Sequence, residues 1–143
     1  DLFPSLLSSD TTSRRRAMLL GDHLMVVILR LGMSALIVYS LRFVGYQVIE
    51  ALDGLEALHK AIEEKPDLIL LDVRMPKMNG YEACTALKQE TSTQDIPVVF
   101  LSARGQDTEI QHGLSLGAEE YILKPFEHDE LYRRVGAVLD RVE

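Results

Sequence analysis

The feature that most constrains this fold is a short apolar run that ends on a carboxylate, within residues 67–80 (DLILLDVRMPKMNG). Residues 68–71 are continuously apolar rather than alternating, which is typical of a strand buried on both faces of a sheet. Asp72 ends this run, and a loop containing Pro, Asn and Gly follows it. A buried carboxylate needs a cation or water, so Asp72 either begins an ordinary turn or belongs to a site at the end of the strand.

Short apolar runs alternate with helical patterns along the rest of the chain. The predicted strands are residues 24–29, 46–50, 68–72, 97–102 and 120–123. The predicted helices are residues 33–44, 54–65, 81–90, 107–116 and 126–142. The predicted buried faces are Leu55, Leu58 and Ile62 on the second helix, Cys84 and Leu87 on the third, and Leu131, Val135, Val138 and Val142 on the last. This alternation predicts an α/β fold: a doubly wound five-stranded parallel sheet with helices on both faces.

Composition and charge limit the classes of function. The chain has 143 residues and is 47% hydrophobic, which suits one domain with a sizeable core. Its single cysteine excludes an internal disulfide and fits a reducing compartment, so we expect a cytoplasmic protein. Residues 1–44 carry a net charge of +2 and the remainder carries −9. An acidic body argues against direct binding to nucleic acid, which requires a basic face.

The N-terminal part of the chain differs from the rest. We predict that residues 1–22 are an extension or an added tail of low order, and that residues 23–143 form the domain. Arginines followed by an apolar stretch can indicate a membrane anchor. The longest uncharged run between Arg30 and Arg42 has only 11 residues, whereas a membrane-spanning helix needs about 20. We therefore expect no membrane segment.

Three of the predicted strands end on polar side chains: Asp72, Ser102 and Lys124. Parallel strands bring their carboxyl ends to one edge of a sheet, so these side chains are expected to converge. A carboxylate can attack phosphorus, a hydroxyl can hydrogen-bond a phosphoryl oxygen, and an ammonium can offset its charge. Taken singly, Ser102 could line a turn and Lys124 could be an ordinary surface residue. Together, they indicate phosphoryl transfer.

Residues 67–80, 96–105 (IPVVFLSARG) and 117–126 (GAEEYILKPF) resemble the receiver domain of bacterial two-component response regulators. The resemblance runs from about Ala35 to the C-terminus and implies the flavodoxin-like fold of single-domain, CheY-like regulators. It also implies a phosphorelay in which a sensor histidine kinase or a phosphotransfer protein is the donor. The output partner would bind the face formed by the fourth helix, the fifth strand and the fifth helix, and a homodimer is compatible with this.

The resemblance assigns a role to each matching residue. Asp72 would be the phosphoacceptor, Ser102 the switch hydroxyl and Lys124 the phosphate-binding lysine, with a cis bond between Lys124 and Pro125. Tyr121 matches the aromatic switch of the family, which swings inward as the hydroxyl moves. From its residue type alone, Tyr121 could equally be a half-buried strand aromatic with its hydroxyl in water. No enzyme activity is expected beyond self-phosphorylation and dephosphorylation at Asp72.

The first strand departs from the family pattern. The family carries two adjacent acids there, which hold Mg²⁺ together with the phosphoacceptor, and counting back from Gly45 places that pair at Ile28 and Leu29. Neither side chain offers the oxygen that a hard cation requires. The remaining ligands would be Asp72 and the backbone carbonyl of Arg74. We therefore expect Mg²⁺ binding and phosphorylation to be weakened.

Three alternatives follow from this departure, and a fourth concerns another class of protein that uses an aspartyl nucleophile. If strand one were residues 17–21, Asp22 would supply one metal ligand, and the first helix would be about two turns longer. A block of altered residues up to Met33 would also fit an altered reading frame. The domain could be a pseudo-receiver that signals by protein contact without phosphorylation. A phosphohydrolase with an aspartyl nucleophile would need a second aspartate where Arg74 stands, so that class is disfavoured.

Overall fold

The computed structural model describes residues 24–28, 34–74, 77–103 and 105–141. Within these residues, five strands alternate with five helices. The strands are β1 (Leu24–Ile28), β2 (Gln47–Ala51), β3 (Leu68–Asp72), β4 (Val98–Ser102) and β5 (Glu120–Leu123). The helices are α1 (Ser34–Phe43), α2 (Gly54–Glu64), α3 (Gly80–Gln89), α4 (Asp107–Ser115) and α5 (His128–Arg141).

The strands form one parallel sheet in the order β2-β1-β3-β4-β5. Every residue of β3 and β4 is buried, as the continuous apolar runs predict. Successive residues of β3 face opposite sides, so Leu68 and Leu70 enter one core while Ile69 and Leu71 enter the other. The first core also contains residues of α1 and α5, and the second contains residues of α2 and α3. The predicted doubly wound α/β fold is confirmed.

The buried faces of the helices agree with the sequence pattern except in α2. Cys84 and Leu87 are fully buried as predicted, and burial raises the pKa of the Cys84 thiol to about 11. The prediction that Leu55 lies on the buried face of α2 is wrong, since Leu55 is 45% exposed. The buried residues of this helix are instead Gly54, Ala57 and Ala61. Small side chains let α2 pack against the sheet, and its larger apolar residues are only partly buried.

In α5, the prediction holds for Leu131, Val135 and Val138, which are fully buried. Leu139 is buried with them, whereas Val142 lies outside the described residues.

The position of the first strand decides between residues 17–21 and residues 24–29, the two predicted locations for it. The strand between β2 and β3 is Leu24–Ile28, so the alternative that places residues 17–21 there is wrong. Asp22 and the predicted N-terminal extension, residues 1–22, lie outside the described residues. Among the helices that the structure describes, none has the length and apolar character needed to cross a membrane.

Candidate functional site

Asp72 is the last residue of β3, in the middle of the sheet. It pairs in register with Leu101, so the next residue of β4, Ser102, lies one position further along the neighbouring strand. Ser102 in turn pairs with Leu123, and Lys124 follows directly. Parallel pairing therefore brings the three predicted strand ends to one edge, as the sequence indicated.

Both carboxylate oxygens of Asp72 accept hydrogen bonds. Lys124 Nζ donates to Oδ2 at 2.7 Å, and the backbone N–H of Arg74 donates to Oδ1 at 2.9 Å. The side chains of Lys124 and Asp72 are only 12% and 5% exposed. A carboxylate this deeply buried is tolerated because a charged partner and a backbone N–H both satisfy it.

The backbone of Lys124 is held beside β4. Its N–H donates to the carbonyl oxygen of Ser102 at 2.8 Å, and the Lys124–Pro125 bond is cis, as predicted. Ser102 is 3% exposed, so its hydroxyl lies within the protein at the end of β4. The structure thus joins Asp72 to Lys124 through their side chains, and Lys124 to Ser102 through the backbone.

Gly80 allows α3 to begin close to the end of β3. A Cβ atom at this position would lie 2.5 Å from the carbonyl oxygen of Asp72 and 2.9 Å from Cα of Val73. The N–H of Gly80 donates to the carbonyl of Val73 at 2.9 Å. Asn79 caps the helix in a capping box with Glu82. These contacts fix the start of α3 beside the end of β3.

A cavity of about 360 Å³ opens between the loops that follow β3 and β4. It is lined by Arg74, Ala103, Gly105, Gln106 and Glu109. The Arg74 side chain is exposed, and whether its carbonyl binds a metal ion stays a prediction.

Tyr121 lies inward in the structure, with only 5% of its surface exposed. The interpretation of Tyr121 as half-buried with its hydroxyl in water is therefore wrong. Its hydroxyl lies 3.1 Å from the hydroxyl of Tyr81, which donates to Glu109 Oε2 at 2.8 Å. Burial, together with the hydrogen bonds to Tyr121 and Glu109, raises the pKa of the Tyr81 phenol. Tyr81 and Glu109 are not predicted from the sequence, because they meet Tyr121 only through tertiary packing.

A family model described as the response regulator receiver domain matches residues 31–136. This chain belongs to the response regulator receiver domain family. Receiver domains act in two-component signalling, where they interact with histidine kinases and with output domains. The function predicted from the three motifs is confirmed at this level.

Two relatives of this receiver domain are transcriptional regulators. The alkaline phosphatase synthesis regulator PhoP of Bacillus subtilis is 46% identical over 76% of this chain and 44% of its own length. The DNA-binding regulator RpaA of a Synechocystis species is 39% identical over 78% of this chain and 46% of its own length. The chain therefore spans less than half the length of these two relatives.

Solved structures show the same fold. A response regulator from Chloroflexus aurantiacus has 32% sequence identity and a TM-score of 0.78, and the match covers 82% of this chain and 97% of that one. The receiver domain of the sensor histidine kinase PA1611 from Pseudomonas aeruginosa has 28% identity and a TM-score of 0.74, with coverage of 83% and 95%. That receiver domain contains a magnesium ion coordinated in its active-site cleft.

The residue that ends β1 in this receiver domain supplies no oxygen ligand from its side chain. Each oxygen of Asp72 accepts one N–H bond, and a carboxylate oxygen has a second lone pair that can bind a cation. Ile28 ends β1 and pairs with Leu71, one residue before Asp72, and the next residue in the sequence is Leu29. Hydrocarbon side chains cannot bind a hard cation. Across the described ranges, no cluster of three or more His, Cys, Asp or Glu side chains could hold a metal ion.

The replacement Lys124→Met should lower the free energy of unfolding by about 3 kcal/mol, because it leaves a buried charge without its partner. Chemical denaturation of the purified domain measures this. Lys60→Met is the matched control, since Lys60 pairs with Glu56 at 2.8 Å while both side chains are about one-third exposed. An exposed pair of this kind should change stability by no more than about 0.5 kcal/mol. Equal losses in the two variants would show that the Asp72–Lys124 pair behaves as a surface pair.

Proposed function

We propose that Asp72 is the phosphoacceptor of this receiver domain. The observation that carries the proposal is the 2.7 Å contact between Asp72 and Lys124 at the edge where β3, β4 and β5 end. A carboxylate oxygen of Asp72 would attack the phosphorus of a phosphohistidine on a sensor kinase or a phosphotransfer protein. The new O–P bond forms as the N–P bond breaks, and the donor imidazole leaves. The product is an acyl phosphate.

Lys124 and Ser102 would act on the phosphoryl group. The ammonium of Lys124 already lies against Asp72, so it is placed to offset the charge that the phosphoryl oxygens bring. Ser102 ends the neighbouring strand, and its hydroxyl can donate to a phosphoryl oxygen. Phosphorylation would remove the negative charge of the Asp72 carboxylate, so the ammonium of Lys124 would then interact with the charged phosphoryl group instead.

We also propose that Mg²⁺ affinity is lower in this receiver domain than in relatives that carry the acidic pair. The support is that Ile28 is the last residue of β1 and that Leu29 follows it in the sequence, so neither position supplies a carboxylate. The cationic groups near a phosphodonor would then be Lys124 and Arg74, which offset a trianionic donor less effectively than a divalent ion does. Small phosphodonors, which bring no protein surface to aid binding, should react slowly.

The output of the domain would be a changed protein surface rather than catalysis of another reaction. We propose that phosphorylation acts through Ser102 and Tyr121 on the face formed by α4, β5 and α5. The partner would be an output domain or protein, or a second copy of the chain, in the cytoplasm. Because the two relatives above are transcriptional regulators, an output domain that controls transcription is the favoured class.

Incubation with a phosphorylated histidine phosphotransfer protein tests the role of Asp72. We expect a mass increase of one phosphoryl group, carried by the peptide that contains Asp72 and removed by hydroxylamine, which cleaves acyl phosphates. Acetyl phosphate should give much slower uptake. If no phosphoryl group transfers from phosphotransfer proteins or kinases, the phosphoacceptor proposal is wrong, and a pseudo-receiver that works by contact alone takes its place.

A further inference from the structure

A hydrogen-bonded chain of three side chains ends on the switch aromatic. The Tyr81 hydroxyl lies between Glu109 Oε2, at 2.8 Å, and the Tyr121 hydroxyl, at 3.1 Å. A phenol has one proton to donate, and an ionised carboxylate can only accept. The Tyr81 hydroxyl therefore donates a hydrogen bond to Glu109, and the Tyr121 hydroxyl donates a hydrogen bond to the Tyr81 oxygen. The direction of both bonds follows from this count of protons.

The ring of Tyr121 fits a pocket that its neighbours have shaped. It packs against Phe100, with ring centroids 5.9 Å apart. A Cβ atom at Gly113 would lie 2.9 Å from the Tyr121 ring, so the absence of a side chain there makes room for it. Tyr81 packs edge-on against the same Phe100, with centroids 5.2 Å apart. One buried phenylalanine thus positions both tyrosine rings, and their hydroxyls meet beside it.

We propose that Tyr81 is a positioning residue that favours the inward position of Tyr121 in the unphosphorylated domain. The inference deepens the proposed function, because it concerns the aromatic switch of the same domain. Without the Tyr81 hydroxyl, the buried phenol of Tyr121 would lose its acceptor, and a buried donor without a partner is unfavourable. An outward rotation would return that hydroxyl to water. The acceptor at the far end, Glu109, lines the cavity that Arg74 also lines, so the hydrogen-bonded chain connects Tyr121 with that cavity.

Nitration of tyrosine by tetranitromethane, mapped by mass spectrometry of peptides, tests this on the unphosphorylated domain. The loss of one buried hydrogen bond in Tyr81→Phe should raise the outward population, and hence nitration at Tyr121, about five-fold. Tyr39 is 68% exposed and serves as an internal standard for the reagent. Tyr132→Phe is the matched control, because its hydroxyl donates to the carbonyl of Ser40, in the core on the other side of the sheet. The control should leave nitration at Tyr121 unchanged.

Glu109→Gln separates the hydrogen bond from the charge. Glutamine keeps an oxygen that accepts from Tyr81, so nitration of Tyr121 should stay within about two-fold of wild type. The proposal is overturned if Tyr81→Phe changes Tyr121 nitration by less than about two-fold, or if Tyr132→Phe raises it equally.

If Tyr81→Phe does not fold, NMR of the wild-type hydroxyl protons decides. A slowly exchanging Tyr121 hydroxyl proton with a cross-peak to the Tyr81 ring supports the proposal, and its absence overturns it. No phosphodonor is used in any of these measurements. Failure of phosphoryl transfer to Asp72 would therefore leave this result unaffected, and the reverse also holds.

Discussion

The double replacement Ile28→Asp/Leu29→Asp is expected to raise the rate of phosphorylation by acetyl phosphate in the presence of Mg²⁺ on the order of a hundred-fold. Ile28 ends β1 and pairs with Leu71, and Leu29 follows it in the sequence, so carboxylates introduced at these two positions would restore the acidic pair of the family pattern. Three carboxylates can hold a divalent ion, which offsets the charge on the donor more effectively than Lys124 alone. The rate of acyl phosphate formation with and without Mg²⁺, and a calorimetric Mg²⁺ titration, measure the effect.

Ile28→Asn/Leu29→Asn is the control for this variant. It introduces side chains of the same shape without charge, so it should gain little Mg²⁺ affinity and little rate. The single replacement Leu29→Asp should lie between the two double variants. If the wild-type domain already binds Mg²⁺ as tightly as the aspartate variant, and through Asp72, the proposal of a weakened metal site is contradicted. Ligands from outside the described residues, Asp22 among them, would then be the next to replace.

The sequence predicts the fold well because the patterns that encode it are local: short apolar runs for the strands and the helical repeat of apolar residues for the helices. The continuous apolar runs of β3 and β4 identify strands buried on both faces, and parallel topology then places Asp72 beside Lys124 although 52 residues separate them. That step needs only the rule that parallel strands end at one edge. The proximity of Asp72 and Lys124 could therefore be predicted from the sequence, whereas the distance between them and their burial required the structure.

The features that the sequence did not predict depend on contacts between elements. Leu55 fits a helical apolar stripe, yet α2 packs through Ala57 and Ala61 because it lies close to the sheet. Tyr81 is separated from Glu109 by 28 residues and from Tyr121 by 40. No helical or strand periodicity relates residues so far apart. Their contact requires the space for the Tyr121 ring that the missing side chain of Gly113 leaves, and only the packed structure shows this space.

The replacement Asp72→Asn is expected to reduce phosphoryl uptake at least about a thousand-fold, because an amide is a far weaker nucleophile than a carboxylate. Asparagine keeps an oxygen that can accept from Lys124 or from the N–H of Arg74, so the fold around the site should be retained. Uptake from a phosphotransfer protein, followed by mass spectrometry of the intact domain, measures the loss.

Asp53→Asn is the matched control for Asp72→Asn. Asp53 also follows a strand of the same sheet, but it caps α2 by accepting from the N–H of Glu56 at 2.8 Å, and it pairs with the exposed Lys77 at 3.5 Å. Its replacement should leave phosphoryl uptake within about two-fold of wild type, since it is not placed to attack the donor. Phosphoryl uptake by Asp72→Asn at the wild-type level would mean that another residue is the acceptor. In that case, the buried contact between Asp72 and Lys124 would serve the stability of the sheet edge, and the Lys124→Met experiment would be its direct measure.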